Sequence, residues 1–231
     1  MGKRIIQQAR GAGSMTYRVR KQAYIYRIKF PTKTGEAEIV KILHSAAHSA
    51  PLMKIHLKDE IAFLPAFNNA YVGQKISVGQ GKPETGSILQ LKDIPVTSQI
   101  YNIETNPGDG GKMMRAAGTS ALLSKKQKDK IIVIMPNRKE AVLNGNCRAI
   151  IGVVAGEGRG LKPFVTAGKK HHKMKSRNKL WPRTSAVKVN AIDHPFGSGR
   201  GKRPKPKISK RNAPPGRKVG HVRPRRTGHV K

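Results

Sequence analysis

Asp193 stands directly before His194 in Ala-Ile-Asp-His-Pro-Phe-Gly, residues 191–197, and it is the single acid among the last 74 residues of this 231-residue chain. A carboxylate next to an imidazole suggests a ring held in one orientation with a raised pKa, the arrangement that proton transfer requires. A plainer use is the stronger reading. Neighbouring side chains rarely fold back onto one another; the aspartate can cap a turn before Pro195, and His194 can stack on a base or donate to a phosphate. No Ser or Cys nucleophile in a recognisable frame accompanies the pair. No catalytic residue is assigned, and His194 stays the one catalytic candidate.

Three glycine clusters, Gly108-Asp-Gly-Gly111, Gly156-Glu-Gly-Arg-Gly160 and Gly197-Ser-Gly-Arg-Gly201, invite nucleotide readings that fail on spacing. None satisfies G-x-G-x-x-G, and no Gly-Lys pair has the earlier glycine and following Ser or Thr of a phosphate-binding loop. Either they are turns of a β protein, or they let backbone with positive φ approach sugar and phosphate where a Cβ would clash. Gly197 and Gly199, lying among bases, favour the second use. His44, His48 and His56 are irregularly spaced, and His171-His172 come without cysteines or clustered carboxylates, so no metal site is expected. Cys147, the only cysteine, allows no intramolecular disulfide and reads as a small buried hydrophobe. Trp181, the lone tryptophan, either anchors the basic segment around it onto a folded domain or stacks on a base.

The charge map says what such groups meet. Residues 1–35 carry nine Lys or Arg and no acid, residues 36–157 carry 15 against 11 acids, and residues 158–231 carry 23 against one, dividing the net +35 into +9, +4 and +22. The ends repel themselves and hold too few apolar residues to offset ordering entropy, so neither arm is expected to fold alone. They need a polyanion. No amphipathic helix, lipidation signal, apolar leader or apolar run of spanning length directs them to a membrane; the longest near-apolar run is Ala149–Ala155. Nucleic acid in the cytoplasm is the expected partner and place.

The middle must position all of this, and its periodicity is two. Met53, Ile55 and Leu57 alternate with Lys54, His56 and Lys58, then Asp59-Glu60 turns into Ile61–Leu64, a hairpin pattern. Further strands are predicted at Lys75–Val78, Ile88–Leu91, Ile100–Ile103, Lys130–Met135, Glu140–Leu143 and Arg148–Val154, with one short helix near Thr119–Lys126. Short strands broken by Gly and Pro indicate small barrels or a sandwich, with a seam near Gly81–Ser87. From Gly197 onward Gly, Pro, Lys and Arg dominate, and an extended segment is expected.

The stretch Asp93-Ile-Pro-Val-Thr-Ser-Gln-Ile-Tyr-Asn-Ile-Glu-Thr-Asn-Pro-Gly-Asp-Gly-Gly-Lys-Met-Met-Arg-Ala-Ala-Gly-Thr119 resembles the central signature of the ribosomal large-subunit protein L-two family. Asn144-Gly-Asn-Cys-Arg-Ala-Ile-Ile-Gly152 is similar to the segment closing its second domain, and Val189-Asn-Ala-Ile-Asp-His-Pro-Phe-Gly197 to its most recognisable motif. Val189, Ala191 and Phe196 depart from the usual Met, Pro and His, which weakens any role requiring two neighbouring imidazoles. The short first arm and Ala167-Gly-Lys-Lys-His-His-Lys-Met-Lys175 look archaeal. The resemblance implies a mainly β fold: a basic arm over residues 1–35, an OB-type barrel over 36–84, an SH3-like barrel over 85–165, and a basic extension over 166–231.

It further implies binding to large-subunit ribosomal RNA near the peptidyl transferase region, neighbouring ribosomal proteins, an intersubunit bridge to the small subunit and nearby tRNA. A part for the motif histidine in peptide-bond formation has been suggested in the family. No cofactor is implied beyond structural Mg2+ and K+ of the RNA. The candidate rRNA contacts are Arg4, Arg10, Arg18 and Arg20 in the first arm, Lys112 and Arg115 beside the central glycines, and Lys169, Lys170, His171, His172, Lys173, Arg177, Trp181, Arg183, His194, Gly197, Gly199, Arg200, Lys202 and Arg203 in the second. A basic RNA chaperone or histone-like binder is the alternative, but it would not need the ordered central motifs.

Overall fold

A computed structural model of the chain describes residues 2–201 and 209–220. It divides into two compact units, one of residues Lys21–Pro163 and one combining Met1–Arg20 with Phe164–Lys231. The first unit is β: β1 (Gly35–Leu43), β2 (Leu52–Leu57), β3 (Glu60–Pro65), β4 (Lys75–Val78), β5 (Ile88–Gln90), β6 (Gln99–Tyr101), β7 (Ala121–Gln127), β8 (Lys130–Ile134), β9 (Glu140–Asn144) and β10 (Arg148–Ile151). They form one sheet in the order β3-β2-β1-β4-β5-β10-β6-β7-β8-β9. Every pairing is antiparallel except β4 with β5, which meet in parallel at Val78 and Ile88.

The expected alternation holds in β2, where Leu57 pairs Glu60 across a turn at Lys58-Asp59, one residue earlier than the sequence suggested. Lys58 takes φ 52 to make it. The strand β1 carried the same signal, with Ala37 and Ile39 buried between exposed Glu36, Glu38 and Val40. One expectation fails. Thr119–Lys126 is no helix: Ala121–Gln127 is β7, paired with β6 and, through the Lys128-Asp129 turn, with β8. Its Leu and Lys residues favour helix intrinsically, but burying Ala121 and Leu123 on one face while Leu122 faces out is a period-two solution that tertiary pairing enforces.

Two hydrophobic clusters fill this unit. One gathers Phe30, Ile39, Met53, Ile55, Leu57, Leu64, Phe67 and Val78; the other gathers Leu91, Ile94, Ile103, Leu123, Ile131, Val133 and Cys147. The central strands β5, β10 and β6 feed both. Ile88, Ile150 and Tyr101 are cross-strand neighbours in the first cluster, while Leu89, Ala149, Ile151 and Ile100 belong to the second. A strand apolar on both faces reads as a continuous run, which accounts for the near-apolar run Ala149–Ala155. The Tyr101 hydroxyl donates to the Pro65 carbonyl at 3.0 Å, and burial pushes its pKa up.

The second unit is assembled from the two basic ends. It holds α1 (Ile6–Gly11), α3 (Ala167–Ser176) and a 3-10 turn at Ala186–Lys188; a further single helical turn, α2 (Gly158–Leu161), belongs to the first unit. The sequence reading placed no helix in either arm. Thr166 enters α3 with extended backbone, Ala, Lys and Met are good helix formers, and Lys173 and Lys175 sit in the last turn where the helix dipole favours cations. Repulsion among its own lysines was the misleading signal.

Candidate nucleic-acid interface

In the first unit the site is the loop between β6 and β7. Glu104, wholly buried, accepts N–H bonds from Gly108, Gly110 and Arg148, and its carboxylate pairs with the Arg148 guanidinium at 3.1 Å. Arg148 spends another donor on the Pro31 carbonyl and lies 5.1 Å over the Phe30 ring. Burial would push the Asp109 carboxyl up, but hydrogen bonds from the Thr105 hydroxyl and from the N–H groups of Asn106, Gly111 and Thr105 hold it at about 2. Gly108, Gly110 and Gly111 all have positive φ, and a Cβ on Gly111 would lie 2.5 Å from the Asn102 carbonyl. Gly111 therefore serves the loop's own packing, while a Cβ on Gly108 would meet open space. On this frame Lys112 is exposed, 3.5 Å from Asp109, and half-buried Arg115 donates to the Gly111 carbonyl.

In the second unit the cations sit beside aromatic rings. Lys170 lies 5.3 Å over Trp181 and Lys173 4.6 Å over Phe164, two cation–π pairs three residues apart on α3. Such pairs hold a lysine stem against a flat ring while its charge stays in water. Lys169, His171 and His172 are exposed, with the imidazoles stacked edge to face at 5.6 Å. Trp181 is half-buried, its bond to Pro182 is cis, and Arg183 is exposed. Arg177 closes α3, and the neighbouring Asn178 side chain donates to the Arg18 carbonyl. The side chains of Arg4, Arg10, Arg18 and Arg20 are exposed.

Asp193 and His194 do not meet. Asp193 faces Lys3 at 3.7 Å, while His194, 8% exposed, accepts the Phe196 N–H on Nδ1 at 3.1 Å and packs its ring 5.1 Å from Phe196. Burial lowers the His194 pKa, against the direction a paired carboxylate would give. Gly197 is buried, and a Cβ there would stand 2.4 Å from the Asn190 carbonyl, so it is required by the turn itself. Gly199 has φ +113 with open space around it and Arg200 is exposed. Lys202 and Arg203 lie outside the described residues. The Glu104–Arg148 pair and the packing partners of His194 were missed, because 44 residues separate the first and nothing local marks the second. Among the described residues no three His, Cys, Asp or Glu gather as a metal site would require, and no helix is long and apolar enough to cross a membrane.

A mainly β unit in a chain whose other unit holds 26 Lys or Arg against one acid has the charge footprint of a nucleic-acid-binding protein. The family model described as Ribosomal Proteins L2, C-terminal domain, matches residues 84–217. "Large ribosomal subunit protein uL2" of Archaeoglobus fulgidus is 44% identical over 234 residues, covering 99% of both chains. Proteins of the same name from Nanoarchaeum equitans and Korarchaeum cryptofilum are 43% and 40% identical, over the whole of this chain and 100% and 97% of theirs. The chain belongs to the ribosomal protein L2 family, in its archaeal form. The mainly β architecture suits that family's OB-type and SH3-like barrels, and a histone-like or chaperone alternative has no support in either comparison.

Proposed function

We propose that the chain is a structural constituent of the large ribosomal subunit that binds ribosomal RNA and performs no chemistry of its own. The carrying observation is the cationic unit of residues 1–20 and 164–231, with 26 Lys or Arg against one acid. A surface so unbalanced is neutralised by phosphates that RNA folding brings close together. In this reading residues 36–84 and 85–165 are the two barrels that set position, the arms enter folded rRNA near the peptidyl transferase region, and the candidate contacts above neutralise phosphate or stack on bases. Lys170 and Lys173, already seated on rings, present their charges at low entropic cost. Neighbouring ribosomal proteins, a bridge to the small subunit and nearby tRNA complete the partners, in the cytoplasm.

The test is co-purification of tagged chain with intact large subunits, together with rRNA affinity against salt. About ten phosphate contacts should lower the association constant roughly 10^4–10^5-fold between 50 and 200 mM salt; a flat plot would refute the reading. The absence of chemistry is tested by His194→Gln. Subunits carrying it that assemble and bind tRNA should keep peptide-bond formation within about tenfold, whereas proton transfer by His194 would cost roughly 10^2–10^4.

A further inference from the structure

Around His194 the second unit encloses a cleft of about 600 Å³, within the 300–1,000 Å³ span of small-molecule sites. Ile5, Val187, Phe196, Pro215 and Val219 give it apolar walls, and no acid is among the residues lining it. Its polar groups are few and placed. Because Nδ1 of His194 accepts the Phe196 N–H, the neutral ring carries its proton on Nε2, and no described residue accepts from that nitrogen. Gln8 spends its Oε1 on the Ile5 N–H at 3.0 Å and keeps its amide donors. Gly216, at φ +86, leaves that amide its room: a Cβ there would lie 2.7 Å from Gln8 Oε1. Lys218 lines the cleft, exposed, with one hydrogen bond to the Arg211 carbonyl.

An occupant must therefore suit apolar walls, accept a hydrogen bond from His194, and carry negative charge for a cationic setting. A nucleotide meets all three, and RNA-binding proteins commonly seat unstacked bases on aromatic or imidazole rings while hydrogen-bonding their edges. We infer that this cleft takes one unstacked base of the large-subunit rRNA, packed against Phe196 and Val187, with His194 Nε2–H donating to a ring nitrogen or carbonyl oxygen and Lys218 facing the phosphate. The inference rests on the rRNA-binding reading and adds a base-specific contact to a surface otherwise built for phosphates.

The test binds the full chain to large-subunit rRNA and probes base edges with dimethyl sulfate and a carbodiimide, and the backbone with hydroxyl radicals. In the wild-type complex at least one unpaired base should be protected tenfold or more. His194→Ala, which deletes the donor, and Ser185→Trp, which fills the cleft from an exposed lining position, should both return that base to its free reactivity, and Ser185→Trp should do so with the backbone footprint unchanged. Persistence of every base protection in both variants would overturn the cleft assignment and leave rRNA binding standing. A wild-type chain with no backbone footprint would overturn the rRNA reading as well.

Discussion

Arg148 and Lys170 carry the same charge in opposite circumstances. Arg148, in a unit of 21 bases and 11 acids, has its needs met inside the fold by Glu104, the Pro31 carbonyl and the Phe30 ring. Lys170, in a unit of 26 bases and one acid, has an aromatic ring to rest on and no ion pair among the described residues. The first arrangement specifies a loop; the second specifies a demand. A cation whose counter-charge is built in stabilises its own domain, whereas one without it stores repulsion that only an external polyanion removes.

Arg148→Met breaks the self-sufficient side of this contrast and should have the largest effect. It leaves the Glu104 carboxylate buried without its partner, which costs about 3–5 kcal/mol, read as a fall in the urea midpoint of the full chain. Unchanged stability would mean the pair is not a structural unit. Gly197→Ala tests whether the basic unit also has fixed internal geometry. With its Cβ 2.4 Å from the Asn190 carbonyl, it should destabilise that unit by about 1–3 kcal/mol, the range of overpacking. Gly199→Ala, strained in φ but unobstructed, should do less in hydrogen exchange of the 189–198 turn, and equal effects would contradict the packing.

The smallest expected effect is a pH dependence. Asp109 is held at about 2 when folded against an ordinary 3.8. Its stabilisation is therefore present above pH 4 and disappears as pH falls through 2. Asp109→Asn should cost about 1–2 kcal/mol at neutral pH, after allowance for solvent screening, and flatten the acid limb of the stability curve. An unchanged acid limb would show that the loop's hydrogen bonds do not distinguish the two charge states.

How far this was legible in the sequence follows from the range of each interaction. Period-two alternation in 53–64 and the paired runs at 130–143 are local, and the strands were found there. The alternation of Ala37 and Ile39 is equally local and lies just beyond the edge of the basic arm. β7 was misread because helix-forming Leu and Lys hid a pairing set by strands on either side. The arms were legible as charge but not as structure: α3 depends on Phe164 and Trp181 giving its lysines somewhere to lie, and the cleft at His194 needs Ile5, nearly 190 residues away in sequence. His194 is legible as a position, while its neighbour Asp193 suggests a partnership that the structure does not make, since Asp193 faces Lys3.

The strands β5, β10 and β6 form the wall common to both hydrophobic clusters, and β10 is the last of them to be made. As the chain is synthesised, β5 has no antiparallel neighbour until residue 150 exists, 62 residues after Ile88. At about 5–20 residues per second that interval lasts roughly 3–12 s. For its duration each half-built core leaves a sheet edge open, at β5 and at β6, the condition under which strands pair with the wrong partner. The wait ends just before residue 158, where the dense run of bases begins. The denser of the two cationic segments is thus made only after the wall common to both clusters is complete.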